Sequence, residues 1–114
     1  MPQLDLLQGT LDLLILKTLT QGSMHGYAIV RHIQKTTADA LLIKEGSLYP
    51  ALHRLERRGW VRAEWRPSEN NRRAKFYCLT RAARRHMEEE ESAWSQFSEA
   101  VAKVLRAAQK GAAG

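Results

Sequence analysis

The chain has 114 residues, 44% of them hydrophobic and 26% charged, with a formal net charge of +6. This is the composition of one ordinary globular domain with room for a real core, which excludes a disordered polyelectrolyte. No run of 18 or more apolar residues offers a membrane span, and the N-terminus lacks the basic flank and short apolar region of a secretory leader. The single cysteine, Cys78, has no internal partner for a disulfide, which fits a reducing cytoplasm.

In chain order, Met1–Gln8 is a lead-in and Gly9–Gln21 reads as a helix ended by Gly22. Leu11, Leu13, Leu14, Ile15, Leu16 and Leu19 spread over most of its circumference, so cover is needed on more than one side. Part of that cover is expected from a second subunit. A second helix is expected over His25–Thr37, capped by Ser23, with Tyr27, Ile29, Val30 and Ile33 as its apolar face. Gly26 marks a close approach of its backbone to a neighbour or ligand. Thr36–Asp39 is a connector, and Leu41-Leu42-Ile43 reads as one short strand.

The stretch Lys44–Gly59 then reads as a short capped helix. Ser47 is its expected N-cap, Pro50 falls in the expected first turn, and Gly59 stops it. Leu48, Leu52 and Leu55 line one face, while Pro50, His53, Arg54 and Arg57 lie opposite. Two helices joined by a short connector, the second with a cationic outer face, form a helix-turn-helix arrangement.

Beyond Gly59 the period changes to two. Val61, Ala63 and Trp65 alternate with Arg62, Glu64 and Arg66, a polar loop follows at Pro67–Asn71, and Phe76–Leu79 leans to strand. A hairpin with Arg72, Arg73 and Lys75 near its tip makes a basic wing. Cys78 is expected to be buried and inert there. Thr80 caps a last helix from about Arg81 to Ala108, and residues 109–114 form a tail small and polar enough to fray. Read in sevens, Met87, Trp94, Val101 and Ala108 make one column and Ala83, Glu90, Phe97 and Val104 the other, a coiled-coil-like seam flawed at Glu90.

The fold expected is therefore mainly α with a small β-hairpin: a winged helix-turn-helix over residues 1–80 plus a C-terminal dimerisation helix over 81–108. The dimer surface is expected to take Leu7 from the lead-in, Leu11 and Leu14 from the first helix, and Met87, Trp94, Phe97, Val101 and Val104 from the last.

Charge placement gives the partner class. Residues 44–85 hold 12 of the 18 Lys and Arg with four acids, a net +8, while the remainder nets −2. Such asymmetry favours a polyanion, and double-stranded DNA fits a basic helix beside a basic wing. A continuous basic amphipathic helix, the usual membrane-surface signature, is absent from that stretch. No nucleophile–base pair, phosphate-cradling glycine loop or zinc spacing among His25, His32, His53 and His86 is found, so neither an enzyme, a metal site nor a cofactor is expected. A winged-helix adaptor using its basic face on an acidic protein remains the alternative.

Leu48-Tyr49-Pro50-Ala51-Leu52-His53-Arg54-Leu55-Glu56-Arg57-Arg58-Gly59, with Gly9-Thr10-Leu11 before it, resembles the PadR family of transcriptional regulators. So do His25-Gly26-Tyr27, Arg72-Arg73-Ala74-Lys75-Phe76-Tyr77 and Leu79-Thr80, and the likeness runs in order from about Leu7 to Arg84. The resemblance implies a homodimeric winged-helix protein, usually a repressor on an inverted-repeat operator, of the subgroup with a single C-terminal helix. It departs at Ala83, where the family often has glycine, which implies only a straighter helix start. It also implies that Ser47, Tyr49, His53 and Arg54 lie on the recognition helix, Tyr27 reaches a phosphate, and Arg72, Arg73 and Lys75 serve the wing. Arg54 is the best candidate for reading a guanine edge, because its fork bonds bidentately, while Arg57 is equally explained as contact or as dipole-complementing charge. Some members of the family sense small aromatic molecules. Trp94 therefore has two readings, as seam core and as a stacking surface for a planar effector.

Overall fold

The computed structural model describes residues 8–70 and 72–113. Leu7, expected at the dimer surface, lies outside the described residues. The order is α1 (Gln8–Thr18), a 3₁₀ turn (Leu19–Gln21), β1 (Met24–His25), α2 (Gly26–Thr36), α3 (Glu45–Arg57), β2 (Val61–Pro67), β3 (Arg73–Leu79) and α4 (Arg81–Ala113). The three strands form one antiparallel sheet in the order β1-β3-β2.

The core is the filled space between α1, α2, α3, the sheet and the start of α4. Ile15, Leu16, Leu19, Ile29, Leu48, Leu52 and Leu55 are fully buried in it. The leucine face expected of α3 is therefore real. Helix α1 packs against α2, α3 and α4, so most of its cover comes from its own protomer. Leu11, expected at the dimer surface, is 5% exposed within this core, and Leu14 is half-buried at its edge.

Three expectations change. Ser23 does not cap α2: the chain stays extended through Met24 and His25, which pair with Tyr77 and Phe76 of β3. That puts His25 at the N-cap, its Nδ1 accepting the Ala28 N–H at 3.2 Å. Leu41–Ile43 is not a strand, because β1 already occupies the free edge of β3. Ile43 instead plugs the core from an irregular segment, 7% exposed. Helix α3 starts at Glu45, with Lys44 at its N-cap and no side-chain cap. Ser47 and Leu48 donate their N–H groups to the Lys44 carbonyl, so Ser47 sits inside the first turn and Pro50 inside the helix proper. Pro50 cannot donate to Gly46, and the missing bond is one α3 does without.

The other end of α3 follows the reading of Gly59. Its φ of 77° is left-handed, Gly59 N–H donates to Glu56 O at 3.0 Å and Trp60 N–H to Leu55 O at 2.9 Å. That is a Schellman motif, in which glycine avoids the Cβ clash of the αL conformation. The β2–β3 ladder runs from Val61↔Leu79 to Pro67↔Arg73. Its tip is closed by Ser68 N–H donating to Arg72 O at 2.7 Å. Cys78 is half-buried rather than buried, with Arg62 Nη2 3.8 Å from its sulfur.

Thr80 fixes the departure of α4. Its Oγ1 accepts the Ala83 N–H at 3.2 Å and donates to the Gly59 carbonyl at 2.7 Å, tying the helix start to the end of α3. Ala83 is wholly buried, and Met87 is 7% exposed, so this expected seam residue is buried inside the protomer. Helix α4 continues to Ala113, past the expected stop at Ala108, because Ala, Gln and Lys sustain helix and only Gly111 opposes it. At 33 residues it is about 50 Å long and gives the protein its 64 Å long axis.

Candidate nucleic-acid interface

Burial of Leu48, Ala51, Leu52 and Leu55 fixes the rotation of α3. Ser47, Tyr49, Pro50, His53 and Arg57 are consequently exposed along its opposite side. Tyr27, at the start of α2, is 62% exposed, and the exposed Arg31 one turn later holds its guanidinium 5.7 Å from the Tyr27 ring. Arg72 and Arg73 are exposed at the tip of the wing.

Two expected contact residues are differently placed. Lys75 is half-buried on the wing and pairs with Glu56 of α3 at 3.7 Å, a loose bridge between wing and helix. Arg54 turns away from the exposed side. Its Nη2 donates to Asp12 Oδ1 of α1 at 3.0 Å, and only 29% of its side chain is exposed. The fork expected to read guanine is committed to a carboxylate within the fold.

Between the wing and the starts of α2 and α3 lies a cleft of about 1030 Å³, walled by His25, Tyr27, Tyr49, Trp65, Phe76 and Tyr77. Gly26 lets the two helix starts meet beneath it: a Cβ there would lie 3.0 Å from Tyr49 Oη and 3.3 Å from Leu48 Cδ2. The close approach read at Gly26 is thus to α3. Trp65 is 58% exposed on the wing, and Arg66 braces the sheet by donating to Ser23 Oγ at 2.9 Å and stacking 5.4 Å from Phe76. Burial, with Glu56 and Tyr49 nearby, raises the Tyr77 pKa above the usual 10.0, so its hydroxyl stays a neutral donor.

Sequence reasoning missed Asp12, Arg31 and Trp65. Asp12 carried a signal, being the one charged residue in the apolar run Leu11–Leu16. Arg31 and Trp65 carried none apart from type. Among the described residues no cluster of three His, Cys, Asp or Glu side chains is placed to hold a metal ion, and no helix is long and apolar enough to cross a membrane.

A helix-turn-helix whose second helix is held beside a basic two-stranded wing, with a long helix leaving the sheet, defines a winged helix-turn-helix protein. Solved structures share it over most of their length. A transcriptional regulator from Clostridium thermocellum superposes with a TM-score of 0.77 at 28% identity, covering 84% of this chain and 93% of that one. A PadR family transcriptional regulator from Eggerthella lenta gives 0.73 at 31% identity, over 86% and 83%. A PadR-like transcriptional regulator from Bacillus cereus gives 0.72 at 26% identity, over 86% and 93%. Residues 15–89 match the Transcriptional regulator PadR-like family. The chain belongs to that family, which is one of transcriptional regulators and not of enzymes. Two curated relatives have no described activity. One, from Lysinibacillus sphaericus, is 27% identical over 85% of this chain and 89% of its own length. The other, a 37.1 kDa transposon protein from Streptomyces fradiae, is 38% identical over 76% of this chain, which spans only 24% of it.

Proposed function

We propose that the protein is a homodimeric repressor that binds an inverted-repeat operator. The observation that carries this reading is the two-faced α3, its leucines wholly buried and Ser47, Tyr49, His53 and Arg57 turned outward, with Arg72 and Arg73 exposed at the wing tip. In this reading His53 and Arg57 face base edges in the major groove. Tyr27, Ser47, Tyr49, Arg72 and Arg73 hold phosphates and fix the register, while Lys75 braces the wing against Glu56. Arg54 is left out of the reading set because Asp12 holds its fork.

The dimer is supported by the far half of α4. Trp94, Phe97, Val101 and Val104, with Leu105 beside them, are 41–68% exposed and form one apolar stripe. A stripe of that size on one helix is stable when a second copy covers it. Two copies would set their α3 helices about 34–36 Å apart, matching successive major grooves on one face of DNA. Occupying the promoter represses, and a planar aromatic effector stacked at Trp94 would release by shifting the α4 pairing and hence the half-site spacing.

The test is binding to the DNA upstream of the protein's own gene, against a scrambled duplex of equal length, over a salt series. A preference retained at physiological salt is expected. Equal binding to both that vanishes with salt would overturn the reading.

A further inference from the structure

Asp12 is the one acidic side chain buried among the described residues, 7% exposed as a residue. It lies in the apolar run of α1, where a leucine would pack without the desolvation cost of a carboxylate. The chain nevertheless places a charge there, and what it holds is the recognition helix. Oδ1 accepts from Arg54 Nη2 at 3.0 Å, and Oδ2 lies 3.9 Å from Nη1 of Arg58, one turn further along α3. Arg54 Nε is buried with no partner. A pair built purely for stability would satisfy that donor, since an unmet buried N–H is costly. The arrangement does something else: it pulls Arg54 towards α1, while Arg58, more distant and half exposed, stays free to leave.

Position makes this matter. At 100° per residue Arg54 sits on the shoulder of α3, 60° from Arg57 and 100° from His53. Released from Asp12, its long side chain would swing to the exposed side and meet phosphate. Phosphate contacts strengthen binding to every sequence equally, so a free Arg54 would raise background binding without improving discrimination.

We propose that Asp12 is a specificity-determining positioning residue, which withholds Arg54 from the DNA backbone and so keeps non-specific attraction low relative to base reading. This rests on the DNA-binding reading above.

The experiment measures affinity of the full chain for a labelled random-sequence duplex between 50 and 200 mM salt, for the wild type, Arg54→Gln, Asp12→Asn and the double variant. Each phosphate contact contributes about 0.9 to the logarithmic salt slope. Arg54→Gln is expected to leave the slope unchanged. Asp12→Asn is expected to steepen it by about one, with roughly threefold tighter binding at the low-salt end relative to the high. The double variant, which leaves no buried charge unpaired, returns to the wild-type slope. A slope flattened by about one in Arg54→Gln would make Arg54 a DNA contact and overturn the proposal. So would an unchanged slope in Asp12→Asn, or, should that variant not fold, a double variant steeper than the wild type. Failure of the regulator reading looks different: the wild type would bind upstream and random duplexes equally, whatever the slopes of the variants.

Discussion

The two halves of α4 share one helix and one heptad pattern, yet they live in different surroundings. In the near half Ala83 and Met87 are buried against the body, the His86 ring stacks 4.1 Å from Trp60, and Lys17 of α1 holds Glu91 at 3.0 Å. In the far half Trp94, Phe97, Val101 and Val104 continue the same columns but are 41–68% exposed. The near half is thus part of the protomer's core, and its stability is intramolecular. The far half carries its apolar residues largely exposed on the single chain, which is why the proposed dimer uses them. A heptad pattern records that a face wants cover; it does not say which chain provides it.

The largest effect should come from breaking the far half. Phe97→Glu, at a residue 65% exposed in the protomer, should weaken self-association by at least about a hundredfold, roughly 3 kcal/mol, with the secondary structure of the body retained. Sedimentation equilibrium reads the association, and circular dichroism the fold. Met87→Ala tests the near half in the opposite sense. It should cost about 2–3 kcal/mol of protomer stability in urea melts, seen even where the protein is monomeric. Thr80→Ala removes the cap that joins both to α3 and should cost about 1 kcal/mol in the same melts. Lys17→Ala breaks only the exposed pair with Glu91 and should change stability by less than about 0.5 kcal/mol, an effect that salt erases. A Met87→Ala loss that appears only above the association threshold would erase the distinction between the halves.

Much of the fold was legible because the signals were local. The leucine spacing of α3, the Gly59 stop, the strand at β2 and the Thr80 cap each lie within a few residues, and each appears in the structure, although the alternation of β2 fails at Trp65, which is exposed while Arg66 is half-buried. Boundaries decided by tertiary contact were not legible. Strand β1 is two residues long, too short for any period, and it exists because β3 offers an edge. Ser47 and Pro50 read as cap and first turn, but the chain leaves Ile43 inside the core and begins the helix two residues before Ser47. In the site, periodicity gave the outward placement of Pro50, His53 and Arg57, the family resemblance that of Ser47 and Tyr49, and the polar loop between two strands the wing-tip cations. The fate of Arg54 was not legible, since its partner stands 42 residues away on another helix. For the same reason Leu11 and Met87 read as dimer surface when they pack inside one protomer. Periodicity gives the face a residue occupies, not the neighbour that face will meet.

The three tryptophans stand at three separate stations. Trp60, between α3 and β2, is stacked on His86 of α4, Trp65 is 58% exposed on the wing, and Trp94 is 46% exposed on the far half of α4. Their emission therefore reports three events that ordinary probes would blend. In variants retaining one indole each, a duplex laid along the wing would shift only the light from Trp65. Apposition of two α4 helices would shift only that from Trp94, and loosening of the body would unstack Trp60 and change its quantum yield. The protein carries its own spectroscopic labels, already distributed by the fold.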